Sequence, residues 1–302
     1  MKHFALSSVT LAAVACSTLL MSGCGGGASS ETTVTIKPAQ PDDAGGDSSA
    51  ANGAEGGSTP AAGAGGIGTL TGVVSYDGSQ PFLEALVQKG KQGVDAICAS
   101  EGVPNETVVV TDGKLANVCI FLARAPRGMS IPPAPEETAV FDQKLCKFLP
   151  HVLLVRTGQP LQVLNGDPVV HNTHTYPSKN SGFNATIPPN DRMGTTIKYS
   201  RAEPIPVRVQ CDIHAWMRAY HLVVDHPFAA ISGEDGTFRI EGLPAGDQEF
   251  RVWHETAGYL DRKYKVTITA DQETSVELKY GSADLSRWDG PQPKQVILSA
   301  LP

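Results

Sequence analysis

The segment from Ile205 to Met217 constrains this chain more than any other. Ile205, Val207, Val209 and Cys211 alternate along it, so they share one face of a strand. Cys211 therefore ends a buried strand. The residues that follow, Asp-Ile-His214-Ala-Trp-Met217, add an imidazole and a thioether at three-residue steps on one tight loop. Further upstream stands Leu-Asn-Gly-Asp-Pro-Val-Val-His171-Asn172-Thr-His174. Before that, Val152 to Asn165 reads as strand, turn at Gly158, and strand, leading into the histidine-bearing loop.

Two histidines, one cysteine and a weak axial methionine are the donor set of a blue-copper electron-transfer site. Soft sulfur suits Cu(I), and imidazole suits both oxidation states. The loop Cys211-x-x-His214-x-x-Met217, followed by Arg218 and a β-rich stretch to Val224, resembles that of the cupredoxins, in particular the amicyanin-like members. His171-Asn172-x-His174 is similar to the segment that carries their first histidine ligand. The chain departs from the pattern at Ile213 and Ala215, where amicyanin-like loops carry proline.

The resemblance covers roughly residues 140–226. It implies one copper held by His171, Cys211, His214 and Met217. Asn172 would then bridge to the backbone beside Cys211 and lock the two loops together. Trp216, between two ligands, would form an apolar rim for docking, with the His214 ring edge as electron exit. The partner implied is a redox protein such as a cytochrome or a dehydrogenase.

The N-terminus carries an export signal. Lys2 begins it, Phe4 to Met21 is its apolar core, and Met21-Ser22-Gly23-Cys24 looks like a bacterial lipobox. Cleavage after residue 23 would leave Cys24 lipidated. The bilayer is then met through this anchor alone, on the cell envelope, facing the periplasm or exterior. Residues 24–67 are Gly-, Ala- and Ser-rich with almost no large apolar side chains, and read as a flexible tether. A coil of that length spans roughly 35 Å.

A net charge of −7 and the lack of any basic run argue against nucleic acid. Of six cysteines, Cys16 leaves with the signal, Cys24 is lipidated and Cys211 is the proposed ligand. Cys119 lies in the apolar run Val118 to Leu122 and reads as a buried free thiol. An oxidising compartment makes Cys98 and Cys146 the disulfide candidates.

The rest of the chain is punctuated as β structure. Gly68–Gly78, Asn117–Ala123, Phe250–His254, Lys263–Thr269 and Ser275–Tyr280 read as strands. Val108–Leu115 reads as a hairpin with Asp112-Gly113 at its tip, and Ala230–Ile240 as another. Phe82 to Cys98 holds a short helix at best.

Asp235-Gly-x-Phe-x-Ile240 and Leu243-Pro-x-Gly246 resemble the carboxypeptidase regulatory-like module, a transthyretin-type β-sandwich. Its opening pieces stand at Gly72–Gly78 and Val118–Leu122, ahead of the copper-like part. The expected fold class is all-β, with a cupredoxin-like Greek-key sandwich inserted in or joined to this module. The expected division is 1–23 signal, 24–67 tether, 68–128 with 228–281 discontinuous sandwich, 132–226 copper domain and 282–302 tail.

Other constellations are weaker. His151 could pair with His174 or His221 around a second metal. His226, His254 and Glu255 could hold a divalent ion, or form a hydrogen-bond cluster at a domain junction. No nucleophile elbow, phosphate loop or paired acid–base carboxylates appear. The expectation is an electron carrier rather than an enzyme, with a copper carrier or store, or a structural surface module, as alternatives.

Overall fold

The computed structural model describes residues 65–286. The signal, Cys24, the tether up to residue 64 and the tail beyond residue 286 lie outside the described residues. Among the described residues no helix is long and apolar enough to cross a membrane.

The fold is all-β. The first stretch holds β1 (Ile67–Asp77), α1 (Ala96–Glu101), β2 (Val110–Thr111), β3 (Lys114–Leu115) and β4 (Cys119–Leu122). The middle stretch holds β5 (Ala139–Lys144), β6 (Lys147–Leu149), β7 (Val152–Arg156), β8 (Leu161–Val163), β9 (His171–Tyr176), β10 (Asn184–Ile187), β11 (Thr195–Ile197), β12 (Val207–Gln210) and β13 (Arg218–Val224). The last stretch holds β14 (Ala229–Ile231), β15 (Thr237–Pro244), β16 (Gly246–His254), β17 (Gly258–Ile268), β18 (Glu273–Gly281) and α2 (Ser282–Leu285).

Four sheets result. One runs β15-β1-β3-β2, with β18 parallel to β1, and a second runs β14-β4-β16-β17. Both draw strands from the first and last stretches of the chain. The other two, β10-β9-β12-β13-β7 and β11-β8-β5-β6, use the middle stretch alone.

Alternation explains the layering. In the β4 region Val118, Ile120 and Leu122 face a core shared with Leu70, Val74, Ile240 and Phe250. Cys119 and Phe121 face the other way, against Tyr220, Leu222 and Val224 of β13. Ala219 and Val223 of β13 point into a third core with Phe141, Val209 and Cys211. Both strands are covered on two faces, which is why each reads as a nearly unbroken apolar run.

Several local expectations change. The segment Ala230–Ile240 is not a hairpin, because β14 pairs with β4 whereas β15 pairs with β1. The turn at Gly233–Gly236 carries the chain from one sheet to the other. The run Phe82–Cys98 is largely irregular, with Phe82 at 91% exposure, and the helix begins only at Ala96. The Asp112-Gly113 tip joins β2 to β3, both residues at positive φ as a tight hairpin turn requires.

Candidate metal centre

Strand pairing brings the two donor-bearing segments together. β12 lies antiparallel to β9, with Gln210 opposite His174 and Val209 opposite Thr175. Cys211 thus emerges beside the start of β9, where His171 stands. The loop is closed by its own backbone: Met217 N–H donates to the His214 carbonyl at 2.8 Å, and Cys211 N–H to the Met217 carbonyl at 3.2 Å. That double closure forces Cys211 and His214 onto the same side of the loop.

The result is a cluster of three donors, His171, Cys211 and His214, whose ligand atoms all lie within 4.8 Å of one another. The Nδ1 atoms of the two histidines are 2.9 Å apart, and Cys211 Sγ is 3.9 Å from His214 Nδ1. All three residues are buried. Met217 is buried in the same core as Cys211. Two imidazole nitrogens and a sulfur converging on one point suit copper, and the chemistry of the set fits it.

Each histidine is turned by a carboxylate on its far nitrogen. His171 Nε2 lies 2.9 Å from Asp167 Oδ2, and His214 Nε2 lies 2.8 Å from Asp95 Oδ2. A carboxylate there holds the proton on Nε2 and leaves the Nδ1 lone pair for a metal. Asp167 is itself fixed by the Leu145 and Cys146 N–H groups at 2.6 and 2.8 Å. Those two residues form the β5–β6 turn with φ of 52° and 54°, so the carboxylate sits against a backbone in the left-handed region.

Without a metal ion the same contacts shift how the donors titrate, and a proton on His171 Nδ1 would have to leave before that nitrogen could bind a metal. Burial works against the Cys211 thiolate, but hydrogen bonds to His171, His214 and the Asn172 and His214 backbone amides outweigh it and bring the thiol down to about 6. Burial likewise opposes charge on His171, yet Asp167 and Cys211 raise it to about 9. Asp167 is held below the usual carboxylate range despite its burial, by His171 and the two amides.

Asn172 lies between the loops. Its Oδ1 accepts the Asp212 N–H at 2.6 Å, and its own N–H points at Cys211 Sγ at 3.4 Å. A second amide, that of His214, reaches the same sulfur at 3.4 Å. Cys98 and Cys146 are bonded to each other, and Cys119 is a buried free thiol pushed up by desolvation and by nearby Glu255.

The surroundings of His214 differ from the docking rim expected of it. Its imidazole is 4% exposed and its outer nitrogen is covered by Asp95. Trp216 is half-buried and borders a cavity with Leu86, Val103, His151 and Glu255. The large exposed apolar side chain of this loop is Ile213.

The remaining histidines go elsewhere. His174 is 2.9 Å from Asp212 Oδ2 and stacks on Tyr176. His221 is 2.9 Å from the Tyr199 hydroxyl. His151 pairs with Glu255, His254 lies 2.8 Å from the Thr256 hydroxyl, and His226 accepts the Phe228 N–H. Among the described residues neither suggested second metal set forms a metal-sized cluster.

Sequence reasoning missed both carboxylates. Asp167 was within reach, since it precedes His171 by four residues. Asp95 had no signal at all, being 119 residues from its partner.

No protein-family model matches the chain, and no curated protein matches it. Solved structures similar to it include the reduced Cu(I) form of an amicyanin variant at pH 4, at 17% identity and a TM-score of 0.26, over 31% of this chain and 91% of that one. A purple cupredoxin from Nitrosopumilus maritimus is similar at 16% identity and a TM-score of 0.24, over 28% of this chain and 98% of that one. A copper-containing nitrite reductase from Thermus scotoductus is similar at 16% identity and a TM-score of 0.26, over 33% of this chain but only 24% of its own length.

Proposed function

We propose that the chain holds one type 1 copper and carries single electrons between redox partners at the cell envelope. The observation that carries this reading is the buried convergence of His171 Nδ1, His214 Nδ1 and Cys211 Sγ. His171, His214 and Cys211 would hold the ion, with the Met217 thioether as a further, weaker donor. Bound there, copper supplies a one-electron couple.

The protein's part is to keep the donors in place whichever charge the ion bears. Asp167 and Asp95 fix the imidazole tautomers. Asn172 ties the Cys211 loop to β9, and the Asn172 and His214 amides bear on the sulfur and moderate its donation. Burial of all three donors suits an electron carrier better than a copper donor, which needs a labile and open ion.

Residues 132–226 form the copper domain in this reading, inserted in a carboxypeptidase regulatory-like sandwich built from 68–128 and 228–281. Lipid at Cys24 and a cytochrome or dehydrogenase as partner complete the proposal. It is tested by adding Cu(II) to the purified protein. An intense visible thiolate-to-copper band that disappears in Cys211→Ser is expected. A colourless 1:1 complex refutes the type 1 assignment, and rapid loss of the ion to a mild chelator would favour a carrier.

A further inference from the structure

We propose that Asp95 is a positioning residue for His214, brought to the metal centre by a strap that the Cys98–Cys146 disulfide clasps shut. The proposal rests on the copper reading of the site.

The strap is the excursion between β1 and β2. It is organised rather than loose. Val87 and Val103 form an antiparallel bridge across its neck and are buried in the same core as Cys211 and Met217. Gly90 N–H donates to the Ala99 carbonyl at 2.8 Å. Gly102 has φ +75°, and a Cβ there would meet the Val87 carbonyl at 2.7 Å, so only glycine lets the neck close. The Cys98 and Ala99 amides donate to the Asp95 carbonyl at 3.0 and 3.1 Å. The backbone of Asp95 is thus set by the same short helix that bears the disulfide.

The clasp links both carboxylates. Cys146 gives its N–H to Asp167, which turns His171. Its sulfur is bonded to Cys98, whose neighbourhood presents Asp95 to His214. The two imidazoles are therefore oriented from one turn, by a local carboxylate and by one borrowed from a distant segment. The second is the more telling. It sits on the edge of His214 that would otherwise face solvent or a partner.

Two consequences follow from the chemistry. A carboxylate accepting the imidazole N–H makes Nδ1 a stronger donor and favours Cu(II) over Cu(I), lowering the potential. The strap also shuts the outer edge of His214 and slows loss of the ion.

The test uses the full chain loaded with Cu(II) alone, as wild type, Asp95→Asn, Asp95→Glu and Cys98→Ser/Cys146→Ser. Asp95→Asn is expected to keep the visible band, raise the midpoint potential and weaken copper affinity by about 10–100-fold. Asp95→Glu is expected to recover most of both. The double cysteine variant keeps Asp95 but frees the strap, and is expected to lose copper to a chelator faster than wild type. In the copper-free protein, imidazole 15N spectra are expected to place the His214 proton on Nε2 in wild type and to lose that preference in Asp95→Asn. A wild type without the thiolate band overturns the copper reading and this proposal with it. A wild type with the band, and an Asp95→Asn variant matching it in potential, affinity and tautomer, overturns the role of Asp95 alone.

Discussion

The core beneath β1, β4, β15 and β16 gathers aliphatic and aromatic side chains, Leu70, Ile120, Ile240 and Phe250 among them, with Ser232 and His254 as buried polar groups at its margins. The core beneath β7, β9 and β12 is threaded with Gln143, Asn165, Asp167, His171, Thr173 and His221. Every one of these buried polar groups needs a partner or costs free energy. Asn165 alone donates to three carbonyls, those of Val169, Ile187 and Pro188. The first region spends its interior on stability. The second gives part of that up to hold two imidazoles and a thiol at one point.

If that division is right, the largest stability effects come from the apolar core and leave the metal centre untouched. Phe250→Ala removes a fully buried ring and is expected to cost about 3–5 kcal/mol in urea unfolding. The variant, while folded, is expected to give the wild-type visible band with Cu(II). A changed band in a still-folded variant would break the comparison by showing the two regions coupled.

The disulfide sharpens it from the other side. Cys98 and Cys146 are 48 residues apart, and removing the bond is expected to cost about 4 kcal/mol in the chain-entropy model. Unlike Phe250→Ala, this loss is expected to fall on the copper region, raising the rate of copper loss as well as lowering the unfolding midpoint.

Buried histidines test whether the division holds for polarity at all, since each region has one that burial lowers to about 3, His221 in β13 and His254 at the end of β16. Each is neutral in the folded state, while the unfolded chain takes up a proton below about pH 6.5. Their contribution is therefore fully present above about pH 6.5 and shrinks as the pH falls toward 3. At pH 5 each is expected to cost about 2 kcal/mol relative to pH 7. Urea unfolding against pH for His221→Gln and His254→Gln checks this. Each variant is expected to flatten the acid limb by its own share, and an unchanged limb would remove that histidine from the account.

The same contrast governs what the sequence could disclose. β1 and β4 announce themselves through alternation and an unbroken apolar run. Yet nothing in β4 says which sheets will cover its two faces. The turn residues Gly233 to Gly236 look like a hairpin tip, and only non-local pairing with β1 and β4 makes them a corner between sheets. At the metal centre, the nearness of Cys211 and His214 could be read from spacing on one loop. The choice of His171 over His174 rested on a resemblance, because both lie on the same strand. Asp95 was beyond reach. Its segment has no periodicity, and its place depends on a disulfide and a valine bridge that close only when the whole fold is formed.

The smallest effect is expected where the two regions meet. His151, just before β7, pairs with Glu255, just after β16, at 2.5 Å, and both side chains are nearly buried. Burial works against charge on His151, but the hydrogen bond and charge of Glu255 prevail, and His151 is raised above its ordinary value. A raised histidine stabilises the fold fully below its unfolded value, about 6.5, and that contribution fades as the pH climbs through the higher folded value. This is the reverse of His221 and His254, so the junction should strengthen in the range where the two interiors weaken. A double-mutant cycle of His151→Gln with Glu255→Gln is expected to give a coupling of about 1 kcal/mol at pH 6. The coupling is expected to fall at high pH, where the imidazole is neutral and only a hydrogen bond to the carboxylate is left. A coupling equal at both ends of the range would mean that the contact is packing rather than charge. A coupling near zero at pH 6 would mean that the two regions are held through their apolar contacts, Phe121, Tyr220 and Trp253 among them.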